Sequence, residues 1–137
     1  MAMFRIFDIA GSGMSAQSVR LNVTASNVAN ADNVSDSEQA AYRSRQPVFN
    51  TFRDFLDGPS PLPGVKVAGI VESEADIASR YAPDHPYANE EGYVFSSNVN
   101  PVEEMVNMLS ASRSYQNNIE VIDTTKELLM RTISLGQ

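Results

Sequence analysis

Few residues in this chain have the types and spacing that chemistry requires. His85 is the only histidine, and it stands in the turn-forming run Arg80-Tyr81-Ala82-Pro83-Asp84-His85-Pro86. An Asp adjacent in sequence does not hold a histidine against a nucleophile in the way general-base catalysis needs, so a structural turn is expected here. Glu72, Glu74 and Asp76 alternate and would share one face. Three carboxylates can hold Ca2+ or Mg2+, but the run lacks the glycine and the ligand spacing of a calcium loop, and a solvated charged edge is expected. Gly11-Ser12-Gly13 has no Lys-Ser/Thr after it and no strand before it, so it is not a phosphate loop. The chain has no cysteine, which removes disulfides, thiolate zinc sites and thiol catalysis. No catalytic residue, metal site or cofactor is expected, and the chain does not read as an enzyme.

Composition narrows the remaining classes. The 137 residues suffice for one domain, and the apolar fraction of 42% permits a core, but only 8% is aromatic and there is no Trp. The formal charge of −7 and the scattered basic residues argue against nucleic acid as a partner. Residues 32–99 carry eleven acids against five bases, whereas both ends are nearly neutral. Near-neutral, apolar-striped ends suit burial against partners, and a charged middle suits solvent. No apolar run is long enough to span a membrane. The start lacks a charged segment followed by an apolar one and a cleavage site, so any exit from the cytoplasm is expected to use another route than general secretion. Asn22-Val23-Thr24 and Asn33-Val34-Ser35 match the glycosylation sequon, but without a secretory signal modification is not expected.

With no chemistry to position, the weight falls on the elements. The last third, residues 100–137, opens Asn100-Pro101-Val102-Glu103-Glu104 and meets no further Pro or Gly before Gly136. Asn100 is a good N-cap, Pro101 suits the first helical position, and Gly136 suits the stop. A helix of ~35 residues would be ~50 Å long, too long to be a piece of a small compact core. Met105, Ser112, Ile119 and Ile133 fall on one heptad line, interrupted by Lys126, and Met108, Tyr115, Ile122 and Leu129 on another. Such lines form a seam for another helix. Residues 2–30 are expected to supply it. Phe7, Met14, Leu21 and Val28 recur every seven residues, with the small Gly11, Ser18 and Ala25 between them, a pattern that admits a close neighbour. A second line, Ile9, Ala16, Val19 and Val23, suits contact on another side. Asn27 and Asn30 lie in an Asn/Asp/Ser-rich exit and are expected to shape it. Arg113, in Arg113-Ser114-Tyr115-Gln116, reads either as a specific inter-chain contact or as an exposed face. The candidate helix-pair and subunit interface thus comprises Met14, Leu21, Asn27, Val28, Asn30, Met105, Leu109, Arg113, Tyr115, Ile119, Ile122, Leu129 and Ile133.

Between the helices, residues 34–99 read as an extended, β-containing insert. Tyr42 to Phe49 would be extended. Phe49, Phe52, Phe55 and Leu56 offer a small cluster, and the Pro/Gly-rich run 58–64 a rigid connector. Strands are expected at Val65–Val71 and Gly92–Phe95. The expected fold is mainly α: long N- and C-terminal helices paired as a coiled coil, 1–33 with 100–137 as a discontinuous assembly domain, and a small β-containing insert.

Several of these runs carry a resemblance over the whole chain. Phe7-Asp8-Ile9-Ala10-Gly11-Ser12-Gly13, Arg20-Leu21-Asn22-Val23 and Ala25-Ser26-Asn27-Val28-Ala29-Asn30-Ala31-Asp32 stand at one end. Gly92-Tyr93-Val94, Glu104-Met105-Val106, Ala111-Ser112-Arg113-Ser114-Tyr115-Gln116-Asn117 and Leu135-Gly136-Gln137 stand at the other. Together they resemble the proximal rod proteins of the bacterial flagellar basal body, of the FlgC type within the rod and hook family. Where that family often has a Gly/Pro-containing stretch before Tyr42-Arg43, this chain has Ala40-Ala41. The resemblance implies paired terminal helices that pack with copies and homologous rod proteins into a hollow, torque-transmitting tube around an export channel. It implies exit through the flagellar type III export apparatus without a cleaved signal, a place in the periplasmic rod, and contact with the rod base at the MS-ring junction. A helical adaptor or export chaperone that never polymerises would need the same amphipathic helices and is the second reading.

Overall fold

The computed structural model describes residues 2–54 and 62–136. Helix α1 spans Ala2–Ala29 and helix α2 spans Pro101–Leu135. Between them lie β1 (Val34–Ser35), β2 (Arg45–Asp54), β3 (Leu62–Glu72), β4 (Ser79–Tyr81) and β5 (Tyr93–Ser96). The predicted paired terminal helices with a small β insert are therefore present.

The ends of α2 follow from local chemistry. Asn100 Oδ1 accepts from the N–H groups of Val102 (3.2 Å) and Glu103 (3.4 Å), satisfying two donors that no helical carbonyl can reach. Pro101 stands at the first turn, and Glu103 and Glu104 place acids at the positive end of the dipole. Gly136 ends the helix at φ −89° with its N–H on Ile133 O at 3.2 Å, a tightened last turn rather than a left-handed cap. Glu127 and Arg131 pair one turn apart at 3.7 Å, both exposed. Arg131 stands just short of the last turn, which holds no base.

β2 and β3 form an antiparallel hairpin paired from Arg45↔Glu72 to Asp54↔Leu62, with Ala68 left over as a bulge between the Val48↔Gly69 and Phe49↔Val67 pairs. It is longer than the sequence suggested, because β3 begins at Leu62, inside the Pro/Gly-rich run, and continues through Pro63 and Gly64. Phe55, Leu56 and the stretch 58–61 of that expected cluster and connector lie outside the described residues. The second sheet has the order β1-β5-β4, all antiparallel. β1 and β4, two and three residues long, had no sequence signal of their own. Gly92 stands at the entry to β5 with φ +81°, and a Cβ there would meet Tyr81 Cε2 at 2.9 Å. Only glycine fits both demands.

A bond at Ser12 ties the hairpin to α1, and a second set closes the insert on itself. The hairpin packs along α1, and Ser12 Oγ accepts from Val65 N–H at 3.1 Å. At the hairpin's open end, Ser44 N–H donates to Asn98 Oδ1 (2.7 Å), Asn98 Nδ2 donates to Ala75 O (3.0 Å), and Ser73 N–H donates to Ser44 O (2.7 Å). His85 sits in the expected turn, where its Nδ1 accepts from Tyr87 N–H at 3.1 Å. Tyr81 and Tyr93 pack edge to face, with centroids 5.3 Å apart.

Candidate assembly interface

Two contacts set how α1 and α2 meet. Gly13 lies against the Asn118 side chain, and Asn27 Nδ2 donates to Glu104 Oε2 at 3.1 Å. The separation from Gly13 to Asn27 equals that from Glu104 to Asn118, so the helices run antiparallel in one constant register. Burial follows that register. On α2, Glu104, Ala111 and Thr125 are buried and Asn118 is half-buried; Met108, Tyr115, Ile122 and Leu129 are half-buried beside them. On α1, Ala10, Thr24 and Asn27 are buried, with Gly13, Gln17 and Arg20 half-buried between them. Both sets step by alternating three and four residues, the spacing of a coiled-coil seam.

One of the two expected lines on α2 is therefore the observed one. The other is displaced by one residue. Met105, Ile119 and Ile133 are exposed, and their place toward α1 is taken by Glu104, Ala111, Asn118 and Thr125. The same offset occurs on α1: Met14, Leu21 and Val28 are half-buried at the edge of the seam, which belongs to Gly13, Arg20 and Asn27. One of the two seam lines on α2 is built from small and polar side chains, which lets the helix axes come close at Gly13 and Asn27, while Met108, Tyr115, Ile122 and Leu129 form the other. Spacing carried the missed signal, since Glu104, Ala111, Asn118 and Thr125 recur every seven residues. Composition hid it, because a polar line does not read as a seam.

Asn27 is the centre of this contact and is fully buried. Its Oδ1 accepts from Arg45 N–H and Tyr42 O–H, both at 3.0 Å. Its Nδ2 donates to Arg45 O (2.7 Å) as well as to Glu104, with Ser44 Oγ at 3.4 Å. The amide thereby uses both lone pairs and both protons, and it joins the exit of α1, the start of β2 and the first turn of α2. Asn30 does more local work: its Nδ2 donates to Ser26 O at 2.8 Å, and its Oδ1 accepts from Asn33 Nδ2 at 2.7 Å.

The two flanks of the pair differ. Val19, Val23 and Ser26 of α1 form a groove with Arg45 and Ile70 of the hairpin, and Phe49 and Gln46 lie beside Glu103 and Asn107 of α2. The hairpin thus covers one flank. Helical geometry puts Phe7, Met14, Leu21 and Val28 on the opposite flank, and the register sets them beside Met105, Ser112, Ile119 and Lys126 of α2. Neither β4 nor β5 packs on either helix. Met105 is 58% exposed, and Leu109, Ile119 and Ile133 are exposed with it. Arg113 is exposed too, while Tyr115 is half-buried.

Among the described residues no cluster of His, Cys, Asp or Glu could hold a metal ion. Glu72, one of the alternating carboxylates, pairs with Arg45 at 3.0 Å. No helix among the described residues is long and apolar enough to cross a membrane.

The two ends that build this interface are also those that match known families. Residues 7–35 match the family described as flagella basal body rod protein, and residues 90–135 match the C-terminal family of flagellar basal body rod FlgEFG proteins. The flagellar basal-body rod protein FlgC of Salmonella typhimurium is 51% identical over 137 residues, covering 100% of both chains. That of Escherichia coli O157:H7 is 50% identical over the same length, and that of Buchnera aphidicola subsp. Baizongia pistaciae 34% identical over 139 residues, each again at 100% coverage of both chains. The chain belongs to the FlgC family of flagellar basal-body rod proteins. As a member of that family it is a structural subunit of the flagellar basal-body rod and not an enzyme, and it assembles with rod proteins. The two matched segments meet in the fold: β1 pairs with β5, and Asn27 of the first segment bonds Glu104 of the second.

Proposed function

We propose that this rod subunit packs with copies of itself and with homologous rod proteins through residues 1–33 and 100–137, forming a hollow tube that transmits torque and encloses the export channel. Residues 34–99 brace the helix pair and face outward or toward neighbours. The chain leaves the cytoplasm through the flagellar type III export apparatus and takes its place in the periplasm where the rod meets its base at the MS ring.

The observation that carries this reading is an unfinished core. Among the described residues the largest fully buried side chains are Val94 and Asn27, while Met105, Val106, Leu109, Leu128 and Met130 on α2 stay more than half exposed. A compact monomer of this mass exposes about 7,000 Å2; this chain exposes 9548 Å2. The surplus exceeds the ~800 Å2 per partner of an ordinary stable interface. Single apolar residues on a surface are normal, but rows of them along a helix mark an interaction site.

The test is Ile122→Asp, made in a strain whose own copy is deleted. A charge in the half-buried helix seam should abolish swimming and remove the chain from purified basal bodies. Normal swimming, with the variant recovered in basal bodies, would remove the seam from the assembly mechanism. Recovery of the unaltered chain only in the cytosol would instead favour a non-polymerising adaptor.

A further inference from the structure

The register that joins α1 to α2 leaves α2 longer than its partner. Extending it from Gly13 against Asn118 places Ala2, the first residue of α1, opposite Leu129. The last turn and a half of α2 then has no intrachain helix beside it, and Met130, Ile133 and Leu135 are 62%, 59% and 88% exposed. At the same time the flank away from the hairpin has large residues, Phe7, Met14 and Leu21, alternating with the small Gly11, Ser18 and Ala25. A Cβ added at Gly11 would meet nothing within 4 Å, so the gap beside it is open in the single chain. No charged residue lies on this face of α1. One part of the molecule is thus an unpartnered helix end, with Met130 and Ile133 together on one side and Leu135 on the other, and another is a row of gaps between apolar knobs.

We infer that the overhanging end of α2, from Met130 to Leu135, docks in a second copy of this chain on the open α1 flank around Gly11, Met14, Ser18 and Leu21. This deepens the proposed assembly role and rests on it. The occupant is a second copy because the chain itself carries both halves of the contact. They are different patches, so the contact is heterologous. A contact of that kind passes from one copy to the next and propagates, whereas a flank packed on an identical flank closes as a dimer and stops. A rod subunit requires the former.

Because the chain has no cysteine, introduced pairs report without background. Ser18 lies opposite Arg113 in the intrachain register, so position 133 is about 30 Å further along α2 and out of reach within one molecule. The doubly substituted chain Ser18→Cys/Ile133→Cys is placed in the deletion strain, basal bodies are purified and mildly oxidised, and disulfide-linked species are separated without reductant. The expected result is a dimer and higher species from the double variant and none from either single variant. A double variant present in basal bodies without a disulfide would overturn the docking while leaving the assembly role intact. A dimer from Ser18→Cys alone would overturn it in favour of flank on flank. If the cysteines keep the chain out of the rod, a photo-crosslinking residue at position 133 of an otherwise unaltered chain, coexpressed with wild type, decides the matter. Adducts on residues 11–21 of another copy support the contact. Adducts confined elsewhere, or to other rod proteins, overturn it.

Discussion

At the scale of single residues, Asn27 holds the molecule together in a way its position in an Asn/Ser-rich exit only partly announces. Its amide reaches the backbone of Arg45, the hydroxyl of Tyr42 and the carboxylate of Glu104. Glu104 is 4% exposed and makes no ion pair among the described residues; Asn27 and Ser44 supply its donors. Leaving a buried polar partner unpaired costs about 1–3 kcal/mol, and more for a charged one. Asn27→Ala should therefore lower the stability of the purified chain by roughly that amount or more, seen as a fall in urea midpoint. Asn27→Asp should be worse than alanine, because it sets a second carboxylate against Glu104 in a poorly solvated site. Equal midpoints for the two variants would mean that the charge of Glu104 is solvated after all. Asn27 was legible as a helix-exit residue because Asn favours such positions. Its buried partner was not, since an acid in the first turn of a helix already has a sufficient local reason to be there.

Among the elements, the contact between α1 and α2 is decided by a close approach at one point. A Cβ at Gly13 would lie 3.1 Å from both terminal atoms of the Asn118 amide, which donates to Ser114 O at 2.9 Å. Alanine is favoured over glycine in a helix interior by about 1 kcal/mol. Gly13→Ala should nonetheless fail to stabilise the wild-type chain, and should gain close to that amount when combined with Asn118→Ala. A double-mutant cycle of urea midpoints measures this coupling, and simple additivity would remove the steric account. Gly11, with open space around it, should accept alanine with the full gain in the isolated chain. In the insert, Gly92→Ala forces a side chain into a left-handed conformation and against Tyr81 and Pro83. A cost of about 1–2 kcal/mol is expected. It should appear as faster proteolysis between residues 79 and 96, where β4 meets β5, with α2 unaffected. The strand β3 was legible from its valines, but β1 and β4 were not. They are too short to show a period, and they exist because β5 lies between them.

For the whole molecule, the exposed area and the small buried side chains describe a subunit rather than a self-sufficient globule. Long helices with two glycines in one of them gain most of their stability from packing, and here much of that packing is left to other chains. Helicity of the purified chain, followed by far-ultraviolet circular dichroism, should therefore fall on dilution and recover on concentration. A full, cooperative helix signal unchanged down to the lowest measurable concentration would count against this account.

Residue types and spacing alone determined the two terminal helices, the N-cap of α2, the expectation of no catalytic chemistry and the resemblance to flagellar rod proteins. All of these rest on local periodicity, capping preference and composition, which act within a few residues of chain. Only the tertiary structure decided which face of each helix meets the other. A heptad pattern marks every apolar line equally, and this chain has more apolar lines than one seam can bury. The close fit of Gly13 on Asn118 and the bond from Asn27 to Glu104 draw the small and polar lines together. Met14, Leu21, Met105 and Ile119 are thereby turned to the flank that the hairpin leaves open.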